Sequence, residues 1–156
     1  MLIAIIGENC SGKSTLAAEI QKVIGAETVT GKDYLRLAKS ESEAEKAFVA
    51  KLANAVSGDN MIYVISEKQH IALLPDGAIR ILVKADIETI KDRFKKRLRG
   101  NLPLPVEQML IRNHGVFDAE KYDIEYDGVS GDPAEVCAYI ENIDGNSYNN
   151  GQAQIR

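Results

Sequence analysis

Two kinds of hydrophobic pattern alternate along this chain. Residues 2–6, Leu-Ile-Ala-Ile-Ile, are continuously apolar, as are residues 61–65, Met-Ile-Tyr-Val-Ile. Runs of this length without alternation predict strands buried on both faces of a parallel sheet. Between and after them, apolar residues recur at helical spacing. Leu16, Ile20, Val23 and Ile24 form one stripe, stopped by Gly25; Ala44, Phe48, Leu52, Ala55 and Val56 form a second. A weaker strand is expected at 27–30. A further strand at 78–83 leads to a helix capped by Asp86, with Ile87, Ile90, Phe94 and Leu98 on its apolar face. A short helix over 106–113, closed by Gly115, a last strand at 122–126 and a final helix opened by Asp132-Pro133 complete the pattern. Val136, Cys137, Ile140 and Ile143 give that helix its stripe. Strands alternating with helices of these lengths specify an open α/β sheet.

The chain of 156 residues is read as one domain over 1–143, followed by a polar tail over 144–156 that is too poor in apolar residues to fold by itself and is expected to be disordered. Net charge is −4, which disfavours general nucleic-acid binding and requires any polyanionic ligand to be held by local donors. Cys10 and Cys137 have no metal-ligand spacing and suggest no disulfide framework, so a reducing cytoplasmic setting is expected. The run at 2–6 is too short for a signal-peptide core or a membrane span. Nothing in the patterning marks an oligomer interface; the Tyr and Ile side chains on the helices are read as core.

Between the first strand and the first helix lies Gly7-Glu8-Asn9-Cys10-Ser11-Gly12-Lys13-Ser14, which fits G-x-x-x-x-G-K-[ST]. The glycines permit turns and close approach that side chains would obstruct, and the loop N–H groups converge on an anion at the positive end of a helix. Lys13 is placed for the β and γ phosphates of ATP, and Ser14 offers its hydroxyl to Mg²⁺. Thr15 completes the nucleotide-binding set, and Cys10 is read as a small side chain that fits the loop.

A P-loop at this position, the chain length and a basic helix two-thirds along resemble the nucleoside-monophosphate-kinase and shikimate-kinase group of P-loop NTPases. The resemblance spans roughly residues 1–143 and is specific at the P-loop. It implies a three-layer fold with a five-stranded parallel sheet in the order 2-3-1-4-5, helices on both faces, and a short lid, here about 99–118. It further implies an ATP-dependent small-molecule kinase using Mg²⁺. In Gly31-Lys32-Asp33-Tyr34, Asp33 follows the second strand where such enzymes carry an acid against the acceptor hydroxyl; a turn acid is the alternative. Arg93 and Arg97 share one helical face and resemble the family's arginine pair for transferring phosphates, while Arg112 is the candidate lid arginine.

The chain also departs from the group. Ser66-Glu67-Lys68-Gln69-His70 stands where a Walker B aspartate or glycine-rich acceptor loop is common. Glu67 is the acid that could reach Mg²⁺ through water, with a surface role as the alternative. Val83-Lys84-Ala85-Asp86 lacks the first residue of a guanine-reading motif, which disfavours a GTPase. The expected function is therefore phosphoryl transfer from Mg-ATP to a small acceptor, a hydroxyl compound favoured over a nucleoside monophosphate by Asp33. A non-catalytic ATP-binding sensor is the alternative.

Overall fold

The computed structural model describes residues 1–147, with side chains through residue 144. Five strands, β1 (Leu2–Gly7), β2 (Glu27–Thr30), β3 (Met61–Ile65), β4 (Ile79–Lys84) and β5 (Ile124–Asp127), form one parallel sheet in the order β2-β3-β1-β4-β5. That is the predicted topology. The apolar runs are continuous because each strand has two buried faces. Leu2, Ala4 and Ile6 join Met61, Tyr63, Ile65 and Leu82 on one side, while Ile3 and Ile5 join Ile62, Val64, Ile81 and Val83 on the other.

Helix α1 (Lys13–Ile24) and helix α6 (Pro133–Ser147) cover the second side with Leu16, Ile20, Val136 and Ile140. Helix α2 (Glu41–Ala55) covers the first with Ala44, Phe48 and Leu52, assisted by a 3-10 turn (Asp33–Leu37) and the short α3 (Lys68–Ile71). Tyr34 from that turn stacks on Phe48 at 4.9 Å, and Phe48 meets Tyr63 edge-on at the same distance. A third, smaller cluster forms where α5 (Leu104–Asn113) packs on α4 (Ile87–Arg97): Val106, Met109 and Leu110 against Ile87, Ile90 and Phe94.

The caps follow their chemistry. Asp86 accepts from the Thr89 backbone at 3.0 Å, and Asp132 accepts from Ala134 N at 3.0 Å ahead of Pro133. Ser40, at the head of α2, accepts from Glu43 N at 3.2 Å. The apolar stripe of α4 is shorter than its spacing predicts. Leu98 is 39% exposed, because Arg99 and Gly100 adopt positive φ and turn the chain out of the helix. Helix α6 runs on through Ser147, into the segment read as a polar tail; the rest of that segment, 148–156, lies outside the described residues. Among the described residues no helix is long and apolar enough to cross a membrane.

Candidate functional site

Strand β1 is central, and the winding direction changes between β3 and β4, which flank it. In open parallel sheets a crevice forms at that switch, outside the carboxyl ends of the strands. The chain puts its phosphate loop there. Gly7 closes β1 where a Cβ would lie 2.6 Å from the Val83 carbonyl oxygen, so a side chain would push the loop off β4. Beyond it, Cys10 and Gly12 have φ of 61° and 111°, separated by Ser11 of ordinary hand. Alternating hand turns successive N–H groups inward and makes an anion nest. The first-turn N–H groups of α1 add to it, having no carbonyl of their own helix to bond. Ser11 is buried, and its hydroxyl has no hydrogen-bond partner among the described residues.

Lys13 is the unusual group. It is 6% exposed, and its Nζ donates to the Glu8 carbonyl at 2.6 Å. Burial pushes its pKa from 10.5 down to about 8; the neighbouring Cys10 and Glu8 pull it up, and the Arg97 charge pushes it further down. An ammonium held in this way lacks a full counter-charge, which a triphosphate would supply.

The two predicted arginines divide their work. Arg93 donates to the Cys10 carbonyl at 3.1 Å and to the Gly128 carbonyl at 2.8 Å, pinning the loop to the turn after β5. That turn sits so close that a Cβ on Gly128 would fall on the Ser11 carbonyl. Arg97, one turn further along α4, is exposed and has no hydrogen bond or ion pair among the described residues. Both arginines line a cavity of about 470 Å³ together with Asn9, Cys10, Gly12, Lys13, Ser14, Thr15, Thr30, Val64 and Ser66.

A second cavity of about 240 Å³ adjoins it through Asn9 and Ser66. Its other walls are Glu8, Glu67, Lys68, Ile90, Leu110, Asn113, Val116 and Phe117. The end of α5 is fastened here. His114 Nδ1 lies 3.0 Å from Glu8 Oε1, and Gly115 N donates to Glu8 Oε2 at 3.3 Å. Thus the second residue of the phosphate loop holds the segment read as a lid. A larger groove of about 1250 Å³ runs from Met1 past Gly58 to Asp144. It lies at the amino ends of the strands, away from the phosphate loop, so volume alone does not mark the site.

Four predicted residues line neither cavity: Gly7 and Ser11, both buried, and Asp33 and Arg112. Asp33 is exposed on the 3-10 turn; Gly31, at φ 52°, swings the chain off β2, and the burial of Tyr34 beneath fixes the turn. Thr30 takes the position at the cavity. Arg112 is exposed on α5, on the side turned from the Leu110 packing. Glu67 does line the second cavity, where its carboxylate accepts from Gln69 at 2.8 Å. Among the described residues there is no group of three or more His, Cys, Asp or Glu able to hold a metal. The exposed Ser14 hydroxyl in the phosphate cavity is the protein donor that suits Mg²⁺. Sequence reasoning missed Thr30, Asn113, Val116, Phe117 and Gly128. Of these, Gly128 had a signal, an Asp-Gly turn directly after the last strand.

No protein-family model matches this sequence, and no curated protein sequence matches it. Solved structures do share its fold. A gluconokinase from Sinorhizobium meliloti 1021 superposes with a TM-score of 0.61 at 16% identity, covering 96% of this chain and 97% of that one. A shikimate kinase from Acinetobacter baumannii gives 0.61 at 13%, covering 96% and 95%. Deoxyadenosine kinase from M. mycoides gives 0.53 at 19%, covering 93% and 100%. The fold is therefore that of the P-loop small-molecule kinases, the group the phosphate loop and topology resemble.

Proposed function

We propose that this chain is a small-molecule kinase that transfers the γ-phosphoryl group of Mg-ATP to an acceptor in the adjoining cavity. One observation carries the reading: the buried ammonium of Lys13 stands in the phosphate-loop cavity, which opens through Asn9 and Ser66 into a second, smaller one. A donor and an acceptor in these two spaces would meet at the loop. The shared fold agrees, but its solved members act on sugar, gluconate, shikimate and deoxyadenosine by name, which leaves the acceptor open.

In this reading residues 7–15 cradle the triphosphate with backbone N–H groups. Lys13 exchanges the Glu8 carbonyl for phosphate oxygens and opposes the charge that moves to the leaving oxygen. Ser14 would hold Mg²⁺, which when bound neutralises charge on the β and γ phosphates. Arg97 supplies a planar donor at the cavity edge, while Arg93 keeps the loop in shape. The clasp of Glu8 on His114 and Gly115 keeps α5 against the seam, which limits water there. Asp33, exposed on the turn that follows Thr30, is proposed as a contact for an acceptor hydroxyl.

The test is ADP release from Mg-ATP across pools of nucleosides, nucleoside monophosphates, sugars and hydroxy acids, with Lys13→Ala alongside. Release that depends on one pool and is lost in the variant is expected. A second reading, a nucleotide-dependent binding module, is favoured by the engagement of Glu67 with Gln69 rather than with the phosphate cavity. It predicts ATP binding with no acceptor-dependent release.

A further inference from the structure

The acceptor cavity has the wrong charge for an anionic substrate. Resting on the kinase reading above, we infer that the acceptor is a small hydroxyl compound without carboxylate or phosphate, either neutral or carrying an amine.

Two carboxylate residues, Glu8 and Glu67, line the cavity, and among the described residues no arginine does. Glu8 is engaged by His114 and Gly115 N, so the acid that faces a ligand is Glu67, whose carboxylate accepts only from the neutral Gln69 amide. Among the described residues the one lysine or arginine on its wall, Lys68, lies 3.4 Å from Glu120 and so already has an acidic partner. The protein's other cations near the loop, Lys13, Arg93 and Arg97, all face the phosphate cavity next door. An anion arriving here would be desolvated among like charges, close to a triphosphate of the same sign. Kinases of anionic acceptors meet that problem with bidentate arginine, and this cavity supplies none. Neutral hydroxyls, by contrast, find Asn9, Asn113, Ser66 and Glu67 as hydrogen-bond partners, with Leu110 and Phe117 to cover a carbon skeleton.

Size narrows the class. The cavity of about 240 Å³ equals roughly eight waters' share of liquid volume, which suits a polyol or a single sugar ring and is cramped for a nucleotide. In the transfer step the bond between γ-phosphorus and the bridging oxygen breaks as a bond to the acceptor oxygen forms. ADP leaves with the bridging electron pair, and the hydroxyl proton passes to Glu67 or to water.

The decisive experiment compares matched acceptors differing in charge on one skeleton: glucose, glucosamine, gluconate and glucose 6-phosphate, with sorbitol as the open-chain neutral. ADP release is measured for each, and binding of each to the protein with a non-hydrolysable Mg-ATP analogue is measured by calorimetry. The neutral or amino members are expected to exceed their anionic counterparts at least tenfold in kcat/KM, and Glu67→Lys is expected to narrow or invert that ratio in a protein of unchanged melting temperature. Preference for gluconate or glucose 6-phosphate would overturn the inference while leaving the kinase reading intact. Binding of the neutral compounds without ADP release would overturn the kinase reading and leave only the charge preference of the cavity. Absence of both binding and release for the whole set would overturn both.

Discussion

The two cavities at the carboxyl edge of the sheet meet at Asn9 and Ser66, yet they are built on different physics. The larger is lined by Lys13, Arg93, Arg97 and the loop backbone. Its donors are oriented before any ligand arrives, partly by the left-handed residues and partly by Arg93, which ties Cys10 to Gly128. The smaller has apolar walls from Ile90, Leu110 and Phe117 and carries two carboxylates, Glu8 and Glu67, against the one ammonium of Lys68. One phosphate loop thus faces two ways. Its backbone N–H groups and Lys13 serve an anion on one side, while the Glu8 carboxylate turns to the other and holds the end of α5.

Removing the charge of the phosphate loop should have the largest effect. Lys13→Met is expected to reduce phosphoryl transfer by about 10³-fold, the cost of losing a donor aimed at developing charge. The same change should stabilise the protein without nucleotide. Lys13 has a folded pKa of about 8 against 10.5 unfolded, so the unfolded chain holds its proton more tightly. The penalty is complete below pH 8 and is relieved as pH rises from about 8 towards 10.5; at neutral pH it is on the order of 3 kcal/mol. Thermal melts of both proteins between pH 7 and 10 check this, the gap closing on the alkaline side. A variant that melted lower than the parent at pH 7 would refute the buried-charge account.

Ligand binding should reverse that shift. A triphosphate beside Lys13 restores the charged form, so binding at pH 8 is expected to take up about half a proton. Calorimetry in two buffers of different ionisation enthalpy measures the uptake directly. It should vanish in Lys13→Met and fade below pH 7, where the group is already protonated.

The arginine pair separates shape from charge. Arg93→Ala leaves the Cys10 and Gly128 carbonyls without their donor and should cost about 2–3 kcal/mol of stability, since hydrogen bonds to charged groups contribute about 1.5–3 kcal/mol each. Arg97→Ala should leave the melting temperature within a degree or two, lower turnover, and move the Lys13 titration upward by removing a like charge. Chemical denaturation and pH–rate profiles distinguish the two. Equal losses of stability would contradict the division of roles.

How far each cavity could be read from the sequence follows from how it is assembled. The phosphate cavity draws six of its eleven lining residues from the stretch 9–15, so one motif and its strand-loop-helix setting reveal it. The buried strands were also legible, because runs such as 2–6 and 61–65 are apolar only if both faces are covered; their order came from the resemblance to the P-loop kinases. The smaller cavity gathers Glu8, Ser66 to Lys68, Ile90 and the stretch from Leu110 to Phe117, and no spacing in the chain links them. Arg93 and Arg97 were visible as a pair on one helical face, but their different tasks are set by Gly128, which is far off in sequence. Asp33 was legible as an acid just after the second strand, and it stands there on the 3-10 turn. Its distance from the cavity depends on the hand of Gly31 and the stacking of Tyr34 on Phe48, neither of which a turn signal encodes.

The smallest effect should come from the loop residue with the least comfortable backbone. Cys10 is a non-glycine residue at φ 61°, a conformation that costs an L-residue roughly 1–2 kcal/mol. Glycine would relieve that strain but lose more freedom on folding, roughly 0.5–1 kcal/mol. Cys10→Gly is therefore expected to change stability by no more than about 1 kcal/mol and to leave Mg-ATP affinity within about twofold. Cys10→Val places a branched side chain in the same left-handed position, where such residues are outliers, and should weaken both. Calorimetric melts and nucleotide titrations of the two variants test the point. If valine were tolerated as well as glycine, the hand of residue 10 would not be what shapes the nest, and Arg93 alone would hold the loop that separates the two cavities.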